Sequence, residues 1–342
     1  MCRDLSAHGF TDSTDKSFYI RGIRVYPCPP PSFLSLELPI ILREWRTCYT
    51  ACMADALSFA TQLALQTGKL LLEHFSVSGT SAHLKADHTV VTDADLAADR
   101  SISQAIRESF PNDLILSEEL QPAHPQHPLP GKSPVQSVHN GNEGTDNPAA
   151  SPAERAVWIV DPLDGTTNFS LGLHYWGVSI ARLVDGWPET AALYFPVIQE
   201  LYTAERQGGA RLNGEQLQVK APSKDQPMAF FSCCSRTHRY YDVRVRYKTR
   251  ILGSAAYNLC SVARGIAVMG FDATPKIWDI AGGWLVVSEA GGVVETLDGS
   301  RPFPLSSAED YSQRKFPTLA AATPRLVSLG REQITPKGRT PA

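Results

Sequence analysis

One stretch constrains this chain more than any other: Val157-Trp158-Ile159-Val160-Asp161-Pro162-Leu163-Asp164-Gly165-Thr166-Thr167. Its apolar start, rich in β-branched and aromatic side chains, reads as a buried strand at 157–160. Asp161 stands at the end of that strand, and in α/β folds ligands gather at the carboxyl ends of strands. Pro162 fixes φ and stiffens the exit. Asp161, the Leu163 carbonyl and Asp164 then offer three oxygen donors within four residues. Hard oxygens of this kind suit Mg²⁺, and the segment has no nitrogen or sulfur ligand to offer. Gly165 lets the backbone approach closely, and the free N–H groups of a helix start form an anion site. Taken alone, the segment also reads as a stiff turn, with aspartate as a cap and glycine for φ > 0.

The flanking pattern supplies layers for such a strand. Apolar residues at helical spacing predict helices near 53–75 and 93–110, the second ended by Pro111-Asn112-Asp113. Leu114-Ile115-Leu116 reads as a short buried strand running into Ser117-Glu118-Glu119. Strands at 175–184 and 190–195 are expected to join at Asp185-Gly186 as a hairpin, with 200–205 and 217–219 extending the sheet. A helix is expected from about 254 to 264, and another opens at Trp278-Asp279 and stops near Gly291-Gly292. Strands at 293–296 and 318–321 and a helix at 324–334 complete the pattern. Residues 1–50 contain Pro27, Pro29, Pro30 and Pro31 and have no sustained period, so they read as a poorly structured N-terminal extension. Residues 121–154, rich in Pro, His, Gly, Asn and Ser, read as a flexible insertion within a 51–335 domain, and 336–342 as a disordered tail.

Composition excludes several classes. With 43% hydrophobic and 20% charged residues, the chain is of ordinary globular type. The net charge of −3 gives no global attraction to nucleic acid or anionic membrane, and neither is expected as a partner. No apolar run approaches the length needed to span a bilayer. The seven cysteines include no Cys-x-x-Cys pair, which argues against a zinc site or disulfide framework and fits a cytoplasmic protein. Arg236, His238, Arg239, Arg244, Arg246, Lys248 and Arg250 form a basic run. It reads as a solvated strand-and-loop face, or as one arginine reaching a substrate or subunit interface.

Other acids carry bland readings when met singly. Glu118-Glu119 passes as a solvated corner, and Asp93 and Asp279 as first-turn helix acids. Their order changes the picture. Asp93 in Val91-Thr92-Asp93-Ala94-Asp95, then Glu118-Glu119, then the Asp161 block, then Trp278-Asp279-Ile280-Ala281-Gly282-Gly283 resemble the inositol monophosphatase family over about residues 53–335. The Lys85-Ala86-Asp87 segment is similar to the one that precedes the family's first catalytic aspartate.

The resemblance implies an α+β fold, a layered α-β-α-β-α sandwich of the inositol monophosphatase and fructose-1,6-bisphosphatase type. It implies Mg²⁺, about two or three ions, held by Glu118, Asp161, the Leu163 carbonyl, Asp164 and Asp279. Asp93 and Thr166 would hold the attacking water, and Glu119 would contact a water or a metal. The backbone of Gly165 and Thr166 would receive phosphate. Gly253, Ser254 and Ala255 would line the substrate, and Asp272, seven residues before Asp279, would bond a substrate hydroxyl. The implied reaction is hydrolysis of a phosphate monoester by metal-activated water, on inositol monophosphate or a similar small-molecule phosphate ester. A homodimer and lithium inhibition belong to the same resemblance.

Two departures accompany it. Ser117 stands where the family usually has glycine, and the 121–154 insertion is longer than typical. The Thr167-Asn168-Phe169 ending is similar to inositol and histidinol phosphate phosphatases. Histidinol-phosphate, 3′-phosphonucleotide and sugar-bisphosphate phosphatases of the same fold stand as alternatives. A catalytically silent phosphate-binding protein is a third reading.

Overall fold

Helix α1 (Ala56–His74) buries Ala60, Leu63, Ala64, Thr67 and Leu71, and α2 (Asp93–Ser109) buries Ala94, Ala98, Ile102 and Ile106. Spacings of three and four put each set on one side of its helix, as covering a sheet requires. The computed structural model describes residues 18–20, 23–25, 56–84, 90–119, 156–221, 229–306 and 310–338. In it both helices lie on one face of a seven-stranded sheet.

That sheet runs in chain order: β1 (Leu114–Ser117), β2 (Val157–Asp164), β3 (Gly177–Val184), β4 (Trp187–Phe195), β5 (Glu200–Glu205), β6 (Gly209–Leu212) and β7 (Glu215–Leu217). β1 and β2 are parallel, and every later neighbour is antiparallel. All eight residues of β2 are buried, so both faces of the strand are covered. Trp158 and Val160 pack with α1 and α2, whereas Val157 and Ile159 pack on the opposite side. The strand runs on past Val160, its expected end. Its register on β3 shifts between the pairs Asp161↔Ser179 and Asp164↔Gly177. Pro162 has no N–H to give the ladder, so the strand bulges there and pairing resumes at Asp164. Helix α3 (Thr166–Ser170) follows at once.

On the far side of the first sheet lie α4 (Ala255–Ala263) and α5 (Ile277–Glu289), sharing a core with Val157, Ile159, Leu193 and Phe195. A second sheet packs beyond them. Its order is β9 (Lys248–Arg250), β8 (Phe230–Cys233), β10 (Ala267–Asp272), β12 (Thr318–Ala321) and β11 (Val293–Thr296), with β8 parallel to β9 and β10. Helix α6 (Pro324–Gln333) covers its outer face with Leu326 and Val327. The layers are therefore α-β-α-β-α, the sandwich that the resemblance implies.

The chain divides into two units, Met1–Cys52 and Met53–Ala342. Within the first, Phe18–Ile20 pairs antiparallel with Ile23–Val25. The rest of the expected extension, the 121–154 insertion and the Lys85-Ala86-Asp87 segment lie outside the described residues. The expected disordered tail needs correction at its start. Ile334–Pro336 pairs with Tyr241–Val243, and the Lys337 N–H donates to the Tyr240 carbonyl at 2.8 Å. Backbone pairing thus fixes residues up to 337, and 339–342 lie outside the described residues. Among the described residues, no helix is long and apolar enough to cross a membrane.

Candidate metal and phosphate site

The parallel pair of strands builds the centre of the site. Ser117 of β1 lies opposite Val160 of β2, and the Glu118 N–H donates to the Val160 carbonyl at 3.1 Å. Glu118 and Asp161 therefore leave adjacent strand ends side by side. Asp279, the third residue of α5, completes a trio whose ligand oxygens all lie within 4.8 Å of one another. Among the described residues no other group of three or more His, Cys, Asp or Glu side chains converges in this way.

The electrostatics of the trio are those of a site built for a cation. Burial pushes the Asp161 carboxyl well above its ordinary value, and Glu118, Asp164 and Asp279 push it further. Burial likewise raises Asp279 well above the ordinary value, with Glu118 and Asp164 adding to it. Asp164 is raised to about 6, again chiefly by burial. Like charges in low dielectric stay together only if protons or a cation neutralise them. The donors are all oxygen, which fits a hard divalent ion such as Mg²⁺ and not a soft one.

Three acids of the site, Asp95, Asp164 and Asp279, are bound to helix starts. Asp95 takes the Thr92 N–H at 2.8 Å, closing a capping box at the start of α2. Asp279 takes the Lys276 N–H at 2.7 Å at the start of α5. Asp164 takes the Ser254 hydroxyl together with the N–H groups of Ala255 at 3.1 Å and Ala256 at 2.9 Å, at the start of α4. Helix N-termini carry partial positive charge, so each contact offsets part of the local repulsion. The capping role and the site role fall on the same residues.

Several of the expected residues lie around the trio. Leu163 lies between the two aspartates, and its carbonyl accepts the Thr166 hydroxyl at 3.0 Å. Gly165 caps α3 with φ +92°, and a Cβ there would sit 2.9 Å from the Tyr175 carbonyl. Asp164 flanks the trio without being one of its three members. Glu119 is half-buried next to Glu118 and is outside the trio.

Others need correction. Asp93 is exposed, and the partner of Thr166 is Asp95, whose Oδ1 accepts the Thr166 hydroxyl at 3.0 Å. The first residue of α2 points to solvent, while the third turns back over the helix start. Ser254 is buried and its hydroxyl is committed to Asp164 and to the cap of α4. Asp272 is buried under the Asn258 amide, which donates to both its oxygens at 2.9 and 3.1 Å, and burial raises it to about 8. The enclosed carboxyl ties β10 to α4. Gly253, with φ +79°, is exposed, and Ala255 is half-buried. The Thr92-Asp93-Ala94-Asp95 capping-box pattern marks Asp95 as a helix cap, not as the partner of Thr166.

Known proteins resemble this chain over most of its larger unit. The model of the inositol monophosphatase family matches residues 53–328. The Nus factor SuhB of Pasteurella multocida is 31% identical over 301 residues, covering 83% of this chain and 97% of that protein. Inositol monophosphatase 1 of Sus scrofa is 29% identical over 268 residues, covering 74% of this chain and 87% of that protein. Among solved structures, an IMPase of Thermotoga maritima superposes with a TM-score of 0.59 at 26% identity, over 81% of this chain and 96% of the other. The extragenic suppressor protein SuhB of Bartonella henselae, at 24% identity, shares the fold with a TM-score of 0.62 over 82% and 98%. With the family model spanning nearly all of the larger unit, this chain belongs to the inositol monophosphatase family.

Proposed function

We propose that the chain is a Mg²⁺-dependent phosphomonoesterase that hydrolyses inositol monophosphate or a similar small phosphate ester. The observation that carries this reading is the convergence of Glu118, Asp161 and Asp279 within 4.8 Å, close to the Asp95–Thr166 hydrogen bond. Those three carboxylates, with Asp164 and the Leu163 carbonyl alongside, would hold the metal, about two or three ions by family likeness. When bound, Mg²⁺ supplies Lewis acidity and the positive charge that lets an acidic site accept a phosphoryl group. Thr166 has one proton and two acceptors at 3.0 Å, Asp95 Oδ1 and the Leu163 carbonyl. Its oxygen keeps lone pairs with which to accept a hydrogen bond from the attacking water and orient it. Burial raises Asp95, which moves it toward the range of a useful base. The backbone of Gly165 and Thr166 would receive the phosphate, and Gly253 and Ala255 would face the released alcohol. Glu119 would contact an outer water or metal.

The same reading includes a homodimer and a reducing, cytoplasmic setting. Leu171, Leu173, Tyr175 and Ile251 are large exposed apolar side chains, which supports an association surface. The described cysteines, Cys233, Cys234 and Cys260, are free thiols.

Released phosphate tests the proposal. The panel is inositol 1-phosphate, histidinol phosphate, fructose 1,6-bisphosphate and a 3′-phosphonucleotide, each with Mg²⁺ and with EDTA. Release that needs Mg²⁺ and is fastest from inositol 1-phosphate is the expected result. A faster ester elsewhere in the panel would move the substrate assignment. No release from any member would favour the second reading, a catalytically silent binding protein, for which the non-enzymatic name of the SuhB relatives speaks.

A further inference from the structure

Asn168 sits on α3 two residues past Thr166 and is 7% exposed. Its Nδ2 donates to two main-chain carbonyls, Tyr175 at 2.6 Å and Leu252 at 2.7 Å. A side-chain amide nitrogen has two protons, so both are used. The two carbonyls belong to different walls of the site. Tyr175 closes the loop that follows α3, and its ring stacks on Tyr257 of α4 at 4.9 Å. Leu252 lies just before Gly253 and Ser254, where α4 begins. One side chain therefore joins segments 84 positions apart.

The walls approach each other through bare backbone. A Cβ on Gly253 would lie 2.5 Å from Asn168 Oδ1, and one on Gly165 would lie 3.3 Å from the Gly253 carbonyl. Every hydrogen bond that Asp164 receives from α4 comes from residues 254–256, directly after this junction. We propose that Asn168 is a positioning residue for the metal site. By tying Leu252 to α3 it keeps the start of α4 on Asp164, and so keeps Asp164 beside Asp161 and in step with Thr166. This rests on the metal-site reading above and assigns a role to a residue outside the proposed ligand set.

Partners that orient a ligand carboxylate typically change metal affinity by about 10- to 100-fold when lost. Asn168→Ala should therefore weaken Mn²⁺ binding about tenfold in calorimetric titration of the full chain with the metal alone. Asn168→Asp keeps the size but sets a carboxylate against two carbonyls, and should weaken it more. Arg182→Ala serves as the stability control. It removes an ion pair to Asp113 at 2.7 Å that braces β3 through a different contact, and should lower Tm while leaving the Mn²⁺ affinity as in wild type. Turnover of Asn168→Ala should need about tenfold more Mg²⁺ than wild type to reach half its maximum. If Asn168→Asp does not fold, Asn168→Ala decides alone. Wild-type affinity in Asn168→Ala, or an equal loss in Arg182→Ala, would overturn the inference. Wild-type protein that takes up no Mn²⁺ would overturn the metal-site reading and this inference together.

Discussion

The two ends of α4 each meet a buried carboxylate and treat it differently. At the C-terminal end, Glu200 is 8% exposed and takes the Arg264 guanidinium and the Tyr202 hydroxyl, the latter at 2.6 Å. The chain itself supplies the countercharge. At the N-terminal end, Asp164 is 6% exposed and takes a hydroxyl and two backbone N–H groups, all neutral donors. Its neighbours Asp161 and Asp279 add charge of the same sign. A buried acid with an internal cation is architecture, whereas buried acids held by dipoles leave charge for a solute to neutralise. The helix makes the contrast systematic: its positive end faces the acids and its negative end carries Arg264.

Exchanging one acid at each end tests the contrast most strongly. Asp161→Asn should take turnover below detection, yet leave the metal-free Tm at pH 8 unchanged or higher, because one repelling charge is gone. Glu200→Gln should do the opposite, lowering Tm while turnover stays within about twofold. Phosphate release and thermal unfolding on both variants decide it, and an inactive Glu200→Gln would erase the distinction. Next in size, Thr166→Ala and Asp95→Asn should each lower kcat on the order of 10²-fold, whereas Asp93→Asn should be nearly silent. A large effect at Asp93 would restore that residue to the mechanism.

Arg264→Ala should cost about 2 kcal/mol in denaturant unfolding, less than a fully buried pair, because the arginine side chain is 38% exposed. An unchanged midpoint would mean that Glu200 is neutralised in another way. A further effect is in pH dependence. From an ordinary 3.8, Asp164 is raised to about 6 and Asp272 to about 8, both mainly by burial. Raised folded-state values mean the folded chain holds these protons more tightly than the unfolded one. That stability is full below about pH 3.8 and is lost as pH climbs through about 6 and then 8. Metal-free Tm should fall between about pH 5 and 8.5, and saturating Mg²⁺ should remove the Asp164 part while leaving the Asp272 part. A metal-free Tm that rises over this range would contradict the burial of these carboxyls.

The wall formed by Asp161, Leu163, Asp164 and Thr166 was legible in the sequence because its members are contiguous and one strand delivers them. Glu118 and Asp279 were legible by order along the chain. Asp95 was not separated from Asp93, since both acids fit a first helical turn. What separates them is Thr166, 71 positions away, which composition and periodicity do not bring near. Ser254 and Asp272 looked like site residues from their places in the chain, and their burial follows from how α4 meets β2 and β10. Asn168 was legible only as part of the Thr167-Asn168-Phe169 ending; its bracing role had no signal, because it lies in two main-chain carbonyls.

The register of β1 on β2 has an evolutionary consequence. Glu118 and Asp161 are adjacent because four backbone pairs, Leu114↔Val157 through Ser117↔Val160, align the strands. Side chains in these strands can be exchanged for others of similar volume without moving either ligand. A slip of one residue would turn Glu118 to the other face. Drift in the core and innovation at the rim are thus decoupled from the metal centre. On the proposed reading, a scaffold of this kind can trade one phosphate ester for another while its reaction stays the same.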